Sequence, residues 1–335
     1  MPTFCRHNRL IQNCSICSRE QSIEARPVLS SSAPRVSQPR ERTPSSQRRR
    51  GSASTIQPTG GVRVRRLARG ADDGYRSPLV PGLKSSDDAE RLAAELAFSA
   101  DRLERLETDP PGLYADVADP STDIEERTWL AFLIAYLAPL ADEEPFAAIR
   151  AARVPWAQAA QMSLGDVAVG PRAAHQPDGG LRTVEAYRAW AQRAGSQAAA
   201  FSGEAGWTPE RRFDRLFERL ALPGLHRDAR YDLLVTLGRL GTYELQGGRL
   251  HFGGDNDVTI AAKRVFGIGD QLLLERRAAD LAGSCGVPLE ALDLALFNWS
   301  QAGLPQGAVR ATGGLAPGTE PEPESLASAR GALGL

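Results

Sequence analysis

Three of the chain's four cysteines and one of its four histidines fall within thirteen positions, in "CRHNRLIQNCSICSRE" at residues 5–20. Cys14 and Cys17 form a C-x2-C knuckle, whose tight turn lets two thiolates grip one ion. Cys5 and His7 form a C-x-H pair six residues upstream, a shorter half than common zinc fingers use. Four soft nitrogen and sulfur donors suit tetrahedral Zn²⁺, and a closed set of four marks a structural rather than a catalytic ion. The alternative is free thiols on a mobile tail, but such clustering meets the spacing logic of zinc sites. Cys285, in "AGSCGVP", stands apart and is expected to pack as a small apolar side chain.

A second stretch able to do chemistry is "AAKRVFGIGDQLLLERRAADLA", residues 261–282. Gly267-Ile268-Gly269 makes a tight turn between two helical segments, and backbone N–H groups at a helix N-terminus can hold a phosphate. This is the physics of a helix-hairpin-helix contact with a DNA backbone, although Val265-Phe266 stand where an apolar residue and proline are usual. The other reading is an ordinary helix–helix turn in which Asp270 caps the following helix. Lys263 is one of only two lysines, the other being Lys84, in a chain that otherwise uses arginine. Beside Arg264 it suits a phosphate contact or plain surface charge.

The elements that must position these residues are legible from composition and period. Residues 27–77 are Ser, Pro, Arg, Gln and Gly with almost nothing to bury, which predicts a disordered linker. Residues 1–76 carry 15 arginines against 5 acids, a net of +10, whereas the rest of the chain carries 25 basic and 36 acidic residues, a net of −11. A flexible basic arm, centred on Arg48, Arg49 and Arg50, suggests contact with phosphates; a solvated linker is the plainer alternative. From residue 85 the pattern turns helical. "SSDDAERLAAELAFSADRLERLE" offers Ser86 as N-cap, and "STDIEERTWLAFLIAYLAPL" reads as a buried helix. Further helices are expected at 143–153, 183–201, 208–221, 227–239, 257–266, 270–283 and 288–300, with a hairpin at 242–252 and a long loop at 154–182. The predicted organisation is therefore a zinc knuckle (1–26), a basic linker (27–77), a mainly α-helical domain (78–301) and a disordered Pro/Gly-rich tail (302–335). With no apolar leader behind Met1, and with "WLAFLIAYLAPL" too short to span a bilayer, the chain reads as soluble and cytoplasmic, without a membrane partner.

Several segments together resemble the alpha-glutamyl/putrescinyl thymine pyrophosphorylase family, most nearly its third clade. They are "CRHNRLIQNCSICSRE", "DPPGLYADVA" with "EERTWLAFLIAYLAPL", and "AAKRVFGIGDQLLLERRA" ending in "VPLEALDLALFNW". The resemblance implies a helical fold related to helix-hairpin-helix DNA glycosylases, and DNA as the partner. It implies action on hydroxymethyl-uracil and its pyrophosphorylated form, with an amine or amino-acid nucleophile replacing the activated substituent. Within such a fold Gly267 and Gly269 become the expected DNA-backbone contact. Asp293 falls about where the glycosylases place the acid at the flipped base, though it lies inside a predicted helix and lacks their partner context. Asp270, Glu275 and Asp293 are then the candidate acids for positioning or activating the nucleophile. Arg264, Arg276 or Arg277, alone or with Mg²⁺, would stabilise a pyrophosphate leaving group. Trp129, Phe132, Tyr136, Phe297 and Trp299 are candidates to stack on an extruded base. The rival reading is a non-catalytic zinc-knuckle adaptor that binds DNA or a protein partner, which the acidic body favours.

The knuckle yields a direct expectation. Protein purified without added metal should carry about one zinc per chain by elemental analysis, and Cys14→Ser should abolish it. Retention of stoichiometric zinc in that variant would mean a different ligand set.

Overall fold

The computed structural model describes residues 70–301 and 309–335. The expected zinc knuckle, nearly all of the basic linker with Arg48, Arg49 and Arg50, and residues 302–308 lie outside the described residues. Among those described, the chain is built from α-helices joined by turns and loops, with no strand. No described helix is long and apolar enough to cross a membrane.

The first helix, α1 (Ser86–Thr108), starts one residue earlier than the capping pattern suggests. Ser85, not Ser86, is the extended N-cap residue, and the backbone N–H of Ser86 donates to the Asp73 carboxylate at 2.9 Å. A carboxylate from a preceding turn thus does the work expected of a serine hydroxyl. A short α2 (Leu113–Ala118) leads to α3 (Ile124–Leu137), which is buried at every position from Arg127 to Leu137. A helix apolar on all sides belongs at the centre of a helical domain, and α3 is there. Its first-turn acids tie other elements to it. Glu125 accepts from the backbone N–H groups of Gln197 and Ala198 at 2.9 and 2.8 Å, capping a later helix, and Glu126 accepts from Trp156 N–H at 2.8 Å.

After α4 (Ala147–Ala152) comes the expected long loop, interrupted only by two 3₁₀ turns. The helix expected over 183–201 is two helices, α5 (Arg182–Arg193) and α6 (Gln197–Ser202), broken where Gly195 takes φ +95°. Then follow α7 (Pro209–Arg219), α8 (Arg227–Arg239), α9 (Asp257–Phe266), α10 (Gln271–Cys285) and α11 (Ala291–Gln301). The expected hairpin at 242–252 is not formed. Side chains claim its backbone instead: Glu275 accepts from Leu250 and Phe252 N–H, both at 2.8 Å, and Arg227 donates to Leu250 C=O.

The tail expected to be disordered is ordered from residue 309. Asn298 pairs with the Ala311 backbone in both directions, at 2.9 and 3.1 Å, and Arg310 meets Glu95 at 2.8 Å. A last helix, α12 (Pro323–Leu333), packs on α1 and α10. Asp101 of α1 caps it, accepting from Glu322 N–H at 2.6 Å, and Tyr75 donates to Leu333 C=O at 2.6 Å. Two of the tail's glycines, Gly313 and Gly314, serve close packing. Gly314 has φ +91°, and a Cβ there would stand 2.7 Å from the rings of Phe146 and Tyr114. Cys285 is buried at the end of α10, as expected, and burial pushes its thiol up to about 11.

The aromatic residues are core. Phe132 and Tyr187 stack with ring centres 3.9 Å apart, with Trp129 and Tyr136 on either side, and all four are at most 1% exposed. Phe297 and Trp299 are buried too, so none of the five stacking candidates presents a face to solvent.

Candidate functional site

One turn of α8 separates Asp228 from Asp232, so both carboxylates project from one helix face. Asp293 of α11 approaches the same place, with Arg227 from the start of α8 and Arg172 from the long loop. The loop can bring Arg172 in because Gly170 lies directly on the end of α3. Gly170 N–H donates to Leu137 C=O at 2.9 Å, and a Cβ on Gly170 would come within 2.0 Å of Pro139 O. Ala174 N–H and His175 N–H both reach Tyr136 C=O, and the His175 ring is fixed by Tyr136 Oη and Leu164 C=O, each at 3.0 Å.

Asp293 bridges the two guanidinium groups, one of its oxygens to Arg172 Nη2 and the other to Arg227 Nη1. Arg227 Nη1 also meets Asp228 at 3.1 Å, and Arg172 Nε stands 3.1 Å from Asp232 Oδ2. The side chains of Arg172 and Asp293 are each 3% exposed, whereas that of Asp232 is 26% exposed. Aromatic faces back the arginines, with Arg172 5.1 Å from the centre of Phe297 and Arg227 4.8 Å from that of Tyr231. Burial acts against both guanidinium charges, but the surrounding carboxylates outweigh it and hold both arginines more firmly protonated than usual. The two α8 acids diverge. Burial would raise Asp228, but Arg172 and Arg227 hold it below the ordinary carboxylate range. Burial raises Asp232 in spite of Arg172, and the neighbouring Asp293 charge adds to the rise. Such divergence occurs in working sites and in buried structural ion-pair networks alike.

The three candidate acids lie apart, each with its own partners. Asp293 is locked between two arginines. Glu275 spends its carboxylate on the backbone of Leu250 and Phe252. Asp270 caps α10, accepting from Leu273 N–H at 2.9 Å. Sequence reasoning passed over Arg172, Arg227, Asp228 and Asp232; the one available signal was the four-residue spacing of two acids in "HRDARYD". Among the described residues, no group of three or more His, Cys, Asp or Glu side chains is arranged to hold a metal ion. Asp228 and Asp293 are engaged by arginines, so the cluster does not fit Mg²⁺.

The expected phosphate contacts lie elsewhere and are partly assembled. Lys263, Arg264 and Gly267 line an open groove of about 870 Å³, joined there by Lys84, so both of the chain's lysines share it. Arg264 is turned inward, 3.4 Å from Asp88 and 4.9 Å from the centre of Trp299. The two glycines differ. Gly267 ends α9 with φ +66° and lies against Gly82, whose N–H donates to Val265 C=O at 2.9 Å; a Cβ on Gly267 would be 3.3 Å from Gly82 Cα. Gly269 has open space around it and no positive φ. Arg276 and Arg277 are exposed on α10.

Residues 171–306 match the family model of alpha-glutamyl/putrescinyl thymine pyrophosphorylase clade 3. The resemblance read from the sequence is borne out over that span. No curated protein and no solved structure matches the chain. The span contains all five charged residues of the cluster, together with α9, the Gly-Ile-Gly turn and α10.

The turn gives a test of which glycine the fold requires. Gly267→Ala should lower unfolding free energy by about 1–2 kcal/mol, because a side chain is strained at positive φ. Gly269→Ala should stay within about 0.5 kcal/mol of the parent. Urea unfolding measures both, and equal losses would contradict the distinction.

Proposed function

We propose that this protein acts on hypermodified thymine bases in DNA, transferring a nucleophile onto a pyrophosphorylated hydroxymethyl-uracil. The observation that carries this reading is that the thymine pyrophosphorylase match spans the whole buried arginine–carboxylate cluster. In the reaction, the nucleophile attacks the methylene carbon on the base, the carbon–oxygen bond to pyrophosphate breaks, and pyrophosphate leaves with the electron pair. The protein's part is to bring the base out of the stack, at a cost of a few kcal/mol, and to offset the growing charge on the leaving group with arginine. The groove bearing Lys84 and Lys263, with the amides of the Gly-Ile-Gly turn, would follow the DNA backbone as in a helix-hairpin-helix glycosylase. The arm at Arg48, Arg49 and Arg50 would add sequence-independent phosphate contacts, and zinc at Cys5, His7, Cys14 and Cys17 would hold the N-terminal knuckle.

A second reading, a non-catalytic adaptor, draws on one observation. The chamber beside the cluster measures about 20 Å³, far too small to admit a base as it stands. The deciding experiment is mass spectrometry of nucleosides from pyrophosphorylated hydroxymethyl-uracil DNA incubated with the full-length protein and a primary amine. The enzyme reading predicts an amine-substituted nucleoside together with released pyrophosphate. Unchanged nucleosides, with DNA binding intact, would establish the adaptor.

A further inference from the structure

The chamber lies where Arg172 and Asp232 meet Arg102 and Tyr114, and the strap 309–315 closes it through Ala311 and Gly313. Its polar walls are unequally satisfied. Arg102 is engaged, Nε to Gly313 C=O at 2.9 Å and Nη2 to Tyr114 Oη at 3.1 Å. Arg172 is not: its Nη1 is buried and finds no acceptor among the protein's atoms, in a side chain only 3% exposed. Asp232 has an ion-pair contact at Oδ2 but receives no hydrogen bond, because the approach of Arg172 Nε is off-line for one. A buried donor without a partner costs about 1–3 kcal/mol, so an orphaned guanidinium N–H beside an under-used carboxylate calls for a ligand that both accepts and donates. A chamber of about 20 Å³ matches one water, which needs roughly 10–15 Å³ and two to four polar partners.

We infer that this chamber holds one water between Arg172 Nη1 and Asp232, and that Asp232 is the general base that turns this water into a competing nucleophile, giving the enzyme a hydrolytic activity. The inference rests on the base-modifying function proposed above. The water oxygen attacks the methylene carbon, the bond from that carbon to the pyrophosphate oxygen breaks, and pyrophosphate departs with the electron pair. The proton released from the water passes to the Asp232 carboxylate, and the base is left as hydroxymethyl-uracil. Asp232 suits this role better than Asp293. Asp293 has both oxygens held by guanidinium groups, whereas Asp232 has a single ion-pair contact, at Oδ2, and lines the chamber. Arg172, Asp293, Arg102 and Asp228 are the charges that face it, and Arg172 alone touches it. The chamber is walled by α1, α2, α3, α8 and α11, by the loop residues Pro139 and Pro171, and by the strap, and one of the loop walls must shift for a base to reach the water.

Two measurements on the full chain test this. A high-resolution crystal structure should show one ordered water within about 3 Å of both Arg172 Nη1 and an Asp232 oxygen; a dry chamber overturns the inference. Turnover of pyrophosphorylated hydroxymethyl-uracil DNA in H2¹⁸O, with and without added amine, tests the chemistry. Without amine, wild-type protein should give hydroxymethyl-uracil with ¹⁸O on the methylene carbon, and Asp232→Asn should lower that rate about 100-fold or more while leaving DNA binding intact. Amine transfer without any ¹⁸O-labelled base, or label found only in pyrophosphate, overturns the inference and leaves the proposed function standing. A wild-type protein inert in both arms sinks the two together.

Discussion

A single carboxylate, that of Asp293, joins the long loop, α8 and α11 by holding Arg172 with one oxygen and Arg227 with the other. Two guanidinium charges cannot be buried this deeply unpaired; the desolvation of each would cost several kcal/mol. Asp293 therefore fixes the positions of both arginines, and each arginine organises something further. Arg227 reaches on to the Leu250 carbonyl, helping the 242–252 segment to run as a loop rather than a hairpin. Arg172 sets its Nε against Asp232, lines the chamber and keeps Nη1 buried without an acceptor.

That arrangement divides labour among acids that look alike in sequence. Asp293 and Asp228 are compensated charges and act as structure. Asp232 is the one with a single contact and an open side. Glu275 and Asp270 serve backbone N–H groups, one on a loop and one at a helix start. An acid becomes available for chemistry by having fewer partners than its neighbours, which helical period and motif spacing do not report.

Much of the helical scaffold was legible. The ends of α8 and α9 fall where they were expected, and "EERTWLAFLIAYL" forms the buried helix its composition suggests. What was not legible depended on partners distant in sequence. Asp73 supplies the cap expected of Ser86, and Asn298 and Asp101 order a Gly/Pro-rich tail whose composition argues for disorder. The aromatic candidates failed for a related reason: helical spacing places Trp129, Phe132 and Tyr136 on α3, but it does not tell a stacking platform from a core. The groove shared by the two lysines lay between these extremes, since Lys263 and Gly267 were visible as candidates while Lys84 joined them only in the fold.

Asp293 acts as the structural pivot of the cluster, its two oxygens spent on Arg172 and Arg227. Urea unfolding of Asp293→Ala tests that role. Removing one partner from a buried charge network should cost about 3–5 kcal/mol, with a lower midpoint and an unchanged slope. A variant as stable as the parent, with binding and secondary structure intact, would contradict the account and return Asp293 to the chemistry.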